Sequence, residues 1–133
     1  LEALAQLLTE QGEQVFVLRG GMGVKEKRRL LAEYNSDQAG TPRVLLSTGR
    51  FLGEGFDDAR LDTLFLAFPV SWRGTLTQYA GRLHRLCEGK KQAVIHDYAD
   101  TKDPLLAAMY RRRCTGYRAI GYELLDGRAL LLG

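Results

Sequence analysis

The chain has 133 residues, 45% hydrophobic and 26% charged, a composition that fits one folded domain with a buried core and argues against disorder. No apolar run approaches the ~18 residues a membrane span needs, and Leu1-Glu2-Ala3-Leu4 lacks the basic start and long apolar run of a signal peptide. Nineteen basic against sixteen acidic residues leave a net charge of +3, too little to name a polyanionic partner by itself.

The first elements alternate helix and strand. Residues 1–11 read as an amphipathic helix, with Leu1, Leu4, Leu7 and Leu8 at helical spacing and Gly12 as its stop. The chain opens inside that helix without an initiator Met, which predicts a piece of something larger. Val15 to Leu18 is a short apolar run, expected to be a strand buried on both faces. A basic helix follows over about Val24 to Tyr34, with Leu30 and Leu31 as its apolar anchors. The turn formers of 35–42 make a loop, and Arg43 to Ser47 is the second strand.

Leu61 to Phe68 is the third strand, stopped by Pro69. A helix spans about Thr75 to Leu86, and Gln92 to Tyr98 is the fourth strand. Asp103 caps a last helix with Pro104 at its first position, running to about Tyr122. Asp126-Gly127 in the tail, residues 123–133, is a hairpin signal. Short apolar strands between helices of this length predict an α/β fold, an open parallel sheet with helices on both faces. Ligands of such sheets sit at the carboxyl ends of the strands, so the loops after residues 18, 47, 68 and 98 carry the functional expectation.

The helix after the third strand is the most informative segment. At ~100° per residue, Leu76, Tyr79, Leu83 and Leu86 fall on one side, and Gln78, Arg82 and Arg85 fall opposite, with Gly81 beside them. Arg82 and Arg85, three apart, can converge on one point. Gly81 in mid-helix costs roughly 1 kcal/mol relative to Ala, which a close approach by a backbone or ligand would explain. Two convergent arginines with a glutamine suit a polyphosphate; a solvated polar stripe is the plainer alternative.

Gln78-Tyr79-Ala80-Gly81-Arg82-Leu83-His84-Arg85 resembles the QxxGRxxR motif VI of superfamily 2 helicases at all four fixed positions. The resemblance implies that Arg82 and Arg85 reach the γ-phosphate of ATP, Arg85 as an arginine finger, with Gln78 near the nucleotide. Upstream, Ser47-Thr48 through Glu54-Gly55-Phe56-Asp57 is not a dinucleotide fingerprint, because Asp58 stands where GxGxxG needs glycine. It resembles motif V of restriction-enzyme-like and repair helicases, here spelled STxxxxxEGxD. That likeness implies that Thr48 and Gly49 touch the nucleic-acid backbone and that Gly55 and Asp57 sit beside ATP. Glu54 fits the pattern, and a structural ion pair suits it equally.

Leu18-Arg19-Gly20-Gly21-Met22 is similar to the HGGM region that follows the motif IV strand, with Arg19 in place of the usual His. The backbone N–H groups of Gly20 and Gly21 are then expected to grip a phosphate. Lys25, Lys27 and Arg28 either meet the track or form a solvated face. Gly89-Lys90-Lys91 is no Walker A loop, since Lys91 fills the Ser/Thr position, and no other phosphate loop or DEAD-like acidic segment is present.

His84 and His96 read as surface and core histidines, and no metal site is expected. Cys87 and Cys114, with no CxxC, argue against a metal or disulfide framework and point to thiols in a reducing cytoplasm. Trp72 either stacks on a base or packs against a neighbouring domain. The basic and aromatic last helix, with Arg111, Arg112, Arg113 and Arg118, either meets nucleic acid or docks on a neighbour.

The resemblance spans roughly Val15 to Tyr98. It implies a RecA-like second motor domain over 1–122, of P-loop NTPase type but lacking Walker A. An upstream RecA-like domain of the same chain would hold ATP and Mg²⁺, the partner would be nucleic acid, DNA ahead of RNA, and the location cytoplasmic. Family members carry one more strand upstream of the first helix. A duplex DNA translocase subunit and a non-catalytic motor half that binds partners are the two alternatives.

Overall fold

In the computed structural model, residues 1–36, 41–48, 58–85 and 89–125 are described, Thr75 by its backbone alone. The elements follow the expected order: α1 (Glu2–Glu10), β1 (Gln14–Leu18), α2 (Val24–Asn35), β2 (Arg43–Ser47), β3 (Thr63–Leu66), α3 (Thr75–Leu83), β4 (Val94–Asp97) and α4 (Pro104–Ala119). They fall into two compact units, Leu1–Phe56 and Asp57–Gly133.

In the first unit, α1 closes on Gly12, whose φ of +87° suits glycine. The N–H of Gly12 returns to the Thr9 carbonyl (3.0 Å) and that of Glu13 to the Leu8 carbonyl (3.0 Å), a Schellman closure. The leucine stripe is not buried: Leu1, Leu4 and Leu7 are all exposed. β1 and β2 pair in parallel, from Gln14↔Arg43 to Leu18↔Ser47. The apolar run of β1 predicts burial on both faces, but only Phe16 and Leu18 are buried, while Val15 and Val17 are half-exposed. Side chains alternate across a strand, and α2 covers one face. Tyr34 provides that cover, edge-on to Phe16 with ring centroids 5.2 Å apart. Tyr34, rather than Leu30 and Leu31, anchors α2; those two are half-exposed. The Arg43 guanidinium donates to the Tyr34 carbonyl and lies over its ring, which ties the end of α2 to the start of β2.

In the second unit, β3 and β4 pair in parallel from Thr63↔Val94 to Leu66↔Asp97. Both are shorter than the apolar runs that contain them. Phe65, 60% exposed, stacks on its register partner His96 at 4.7 Å. α4 begins as expected: Asp103 accepts the N–H groups of Leu105 (2.8 Å) and Leu106 (3.0 Å), with Pro104 in the first turn. It ends at Ala119, three residues early. Gly121, at φ +97°, makes a second Schellman closure, with its N–H on Arg118 (3.1 Å) and the Tyr122 N–H on Tyr117 (3.0 Å).

The buried residues of this unit are Leu76, Ala80, Leu83 and Tyr117, together with a buried charge, Arg113, which is 1% exposed. Arg113 Nε donates to Asp97 Oδ2 (2.7 Å), Nη2 to Asp97 Oδ1 (2.9 Å) and Nη1 to the Val70 carbonyl (2.8 Å). The Tyr117 hydroxyl donates to Asp97 Oδ2 at 2.9 Å. Burial, reinforced by the Asp97 charge, pushes the Tyr117 phenol well above its ordinary pKa. Trp72 meets the Tyr117 ring edge-on at 5.0 Å and lies directly over Gly116, where a methyl group would collide with the indole. Trp72 thus packs within its own unit, and the arginine run of α4 is divided, Arg113 inward and Arg111 and Arg112 outward.

Removing one partner of a buried ion pair strands the other charge. Arg113→Ala is therefore expected to destabilise the fold by about 3–5 kcal/mol in denaturant titration, and Gly116→Ala by about 1–3 kcal/mol through overpacking. Arg112→Ala, on the exposed side of the same run, should change stability by less than about 0.5 kcal/mol.

Candidate functional site

α3 presents the candidate nucleotide face. It starts after Gly74, and the first backbone bond joins the Gln78 N–H to the Gly74 carbonyl (3.2 Å). Leu76, Ala80 and Leu83, at i, i+4 and i+7, are its buried side. That stripe replaces the expected Leu76, Tyr79, Leu83 and Leu86. Ala80 takes the place of Tyr79 because a small residue allows closer packing, and Leu86 lies outside the described residues. Gln78, Gly81 and Arg85 are exposed, and Arg82 is half-buried.

Three details depart from expectation. First, α3 ends at Leu83 rather than Leu86. Its last turn tightens, with the His84 N–H on the Gly81 carbonyl (3.3 Å) and the Arg85 N–H on the Arg82 carbonyl (3.0 Å). Arg85 therefore leaves the helix on this turn instead of standing on it. Second, no other backbone among the described residues approaches Gly81: outside its own helix, nothing described lies within 4 Å of where its Cβ would be, which leaves approach by a ligand as the other half of that expectation. Third, Arg82 is not on the side away from Tyr79, since its guanidinium carbon lies 6.0 Å from the Tyr79 ring centroid. The Tyr79 hydroxyl is buried without a hydrogen-bond partner among the described residues. Burial raises its pKa to about 12, against the lowering pull of Arg82.

Two guanidinium groups and one amide stand here along an exposed helix end with open backbone at Gly81. That set can donate several charge-assisted hydrogen bonds to a polyanion.

The second cluster lies in the first unit. The register pair Leu18↔Ser47 puts Gly20 and Thr48 just beyond the carboxyl ends of neighbouring parallel strands. Gly20, Gly21 and Thr48 are all exposed, and Gly21 has φ +82°. A left-handed residue in an exposed turn is one element of the backbone geometry that holds anions. Arg19 is engaged by Glu2 (2.7 Å) in an exposed pair. Gly49, Gly55 and Asp57, together with Glu54, lie outside the described residues. Gln78, Arg82 and Arg85 thus lie on or just past α3 in the second unit, and Gly20, Gly21 and Thr48 lie at strand ends in the first.

Two contributors escaped the sequence reading. Tyr122 donates its hydroxyl to the Ala80 carbonyl (3.0 Å) and its ring meets His84 at 4.3 Å. Arg113 holds the segment leading into α3 by its Val70 contact. A signal for Arg113 existed: 113, 116 and 117 share one helical face, so one arginine of the run had to point inward and find an acid. Tyr122 had no such signal, because its partner is a backbone carbonyl 42 positions away.

Among the described residues, no group of three or more His, Cys, Asp or Glu side chains could hold a metal ion. No described helix is long and apolar enough to cross a membrane. No family model matches the chain, and no curated protein matches it. Solved structures do match. One is the crystal structure of the C-terminal part of Fun30 ATPase domain, similar at TM-score 0.61 and 15% sequence identity. The likeness covers 98% of this chain and 42% of that one. It shows the fold: mixed α/β with parallel strands and helices, as in a RecA-like domain.

Tyr79 gives this site a pH signature. A phenol whose folded pKa is raised contributes stability that is present below about pH 10 and is lost as pH rises toward about 12. Tyr79→Phe removes an unpartnered buried hydroxyl, so it should be neutral or stabilising by about 1 kcal/mol at neutral pH. It should also flatten the alkaline loss of stability between those two pH values, read by denaturation at successive pH.

Proposed function

We propose that this chain is the second motor domain of an ATP-dependent nucleic-acid helicase, which supplies arginines to ATP held by another RecA-like domain. The observation that carries the reading is the outer face of α3, where Gln78, Gly81 and Arg85 are exposed and Arg82 stands beside them. The likeness in fold to part of an ATPase domain supports it.

The donor set fits a polyphosphate that arrives from outside the unit: cationic forks, an amide, and no side chain at Gly81 to hold it off. The chain has no Walker A sequence of its own, so we assign the cradle for ATP and Mg²⁺ to the partner domain. Bound there, Mg-ATP supplies the phosphoanhydride bond whose cleavage drives the cycle. Arg82 and Arg85 donate to the terminal phosphoryl oxygens and offset the charge that builds on them in the transition state. Gln78 orients alongside, and Gly55 and Asp57 complete the nucleotide side.

Gly20, Gly21, Thr48 and Gly49 grip the phosphates of the track, DNA ahead of RNA, without reading its sequence. Closing on the nucleotide-bearing domain and releasing after hydrolysis alternates that grip and moves the motor. The setting we assign is the cytoplasm.

In the full chain, Arg85→Ala is expected to lower nucleic-acid-stimulated ATP hydrolysis on the order of 10³-fold while nucleotide binding is largely kept. Wild-type turnover in that variant would reduce Arg85 to a solvated residue. Hydrolysis stimulated by duplex DNA with no strand separation would move the assignment to a translocase. Loss of neither activity on substituting both arginines would favour a non-catalytic motor half.

A further inference from the structure

The last turn of α3 receives a contact from outside the helix. In an uninterrupted helix the Ala80 carbonyl would accept the N–H of His84. Here the His84 N–H bonds one residue later, to Gly81 (3.3 Å), and the Ala80 carbonyl accepts the hydroxyl of Tyr122 (3.0 Å). The Tyr122 ring also meets the His84 imidazole at 4.3 Å and the Tyr117 ring at 6.2 Å. Tyr122 is half-buried, and burial raises its phenol above the ordinary value, so it is a neutral hydrogen-bond donor at physiological pH.

Tyr122 is itself held firmly. Its backbone N–H closes α4 on the Tyr117 carbonyl (3.0 Å), a turn that requires the positive φ of Gly121. Tyr117 in turn is fixed by Asp97 and packed under Trp72. The end of α4 is therefore a rigid support, and Tyr122 reaches from it to the last turn of α3. That turn decides where Arg85 emerges, because the Arg85 N–H is bonded to the Arg82 carbonyl within it (3.0 Å).

We propose that Tyr122 is a positioning residue for Arg85: by taking the Ala80 carbonyl and meeting the His84 ring at a tilt, it ends α3 early and sets the direction in which the Arg85 side chain emerges. The inference rests on the motor-domain reading for what Arg85 does, but the contact itself does not. A helix left to continue to Leu86 would carry Arg85 round to a different azimuth. An arginine that must meet a phosphoryl group loses much of its effect when misplaced by about 1 Å.

The test is Tyr122→Phe beside Arg85→Ala in the full chain. Tyr122→Phe keeps both ring contacts and removes only the hydroxyl. The expected result is a fall in kcat for nucleic-acid-stimulated ATP hydrolysis on the order of tenfold, with KM for ATP within about twofold and the melting temperature nearly kept. Amide exchange at His84 and Arg85 should quicken, while that of α4 stays slow.

Wild-type kcat and exchange in Tyr122→Phe, with Arg85→Ala inactive, would overturn the positioning role and leave the motor reading standing. Wild-type turnover in Arg85→Ala would overturn both. If Tyr122→Phe unfolds, His84→Ala, which alters an exposed ring alone, reports the same turn. Faster exchange at Arg85 supports the role, and unchanged exchange overturns it.

Discussion

A single buried charge organises the second unit. Arg113 sits in the core at 1% exposure, and a guanidinium there is tolerable because each of its three nitrogens donates to an acceptor. Asp97 takes two of its hydrogen bonds and the Val70 carbonyl a third. Those partners come from the end of β4 and from the loop after β3. One side chain on α4 thus ties together the carboxyl ends of both strands of its sheet. Because leaving any partner unpaired costs more than the net value of the pair, the arrangement specifies geometry more than it adds stability.

The candidate site follows from that constraint. The loop after β3 leads into α3, so its anchoring at Val70 and the seating of Trp72 over Gly116 fix where the helix begins. Tyr122 fixes where it ends. Between these two holds, Leu76, Ala80 and Leu83 bury one side, and Gln78, Gly81 and Arg85 are left outward. Their positions are set from α4, whose own sequence holds no part of the helicase-like motifs. In the first unit the same economy applies: Tyr34 and Arg43 hold α2 and β2 in register, and exposed Gly20, Gly21 and Thr48 stand at the strand ends that result.

Much of the fold was legible because its signals are local. Asp103-Pro104 announces the start of α4, Gly12 stands at the end of α1, and β2 coincides with its apolar run. The exposure of Gln78 was legible too, from helical phase, whereas Arg82 leans back over Tyr79 and Arg85 lies past the end of the helix. What stayed hidden depends on contacts distant in sequence. Arg113 looks like its neighbours in a run of three until Asp97 is placed beside it. The contact at the end of α3 could not be read from the neighbouring residues, because the Ala80 carbonyl accepts from Tyr122, 42 positions away. Tyr34 was passed over for Leu30 and Leu31 because hydrophobicity alone ranks leucine above tyrosine, whereas an edge-on aromatic contact with Phe16 decided the packing. The opposite error was made at Leu1, Leu4 and Leu7, where an apolar stripe predicts burial and the side chains are exposed.

The central claim is that the outward arginines of α3 meet the terminal phosphate of ATP bound to another domain. The most direct measurement is a structure of the full chain with nucleic acid, Mg²⁺, and ADP carrying aluminium fluoride as a mimic of the transferred phosphoryl group. The expected result is both Arg82 and Arg85 in hydrogen-bonding contact with the fluoride ligands, with Tyr122 still on the Ala80 carbonyl. A closed complex in which the fluoride is contacted by other cations, and both arginines face solvent, would contradict it.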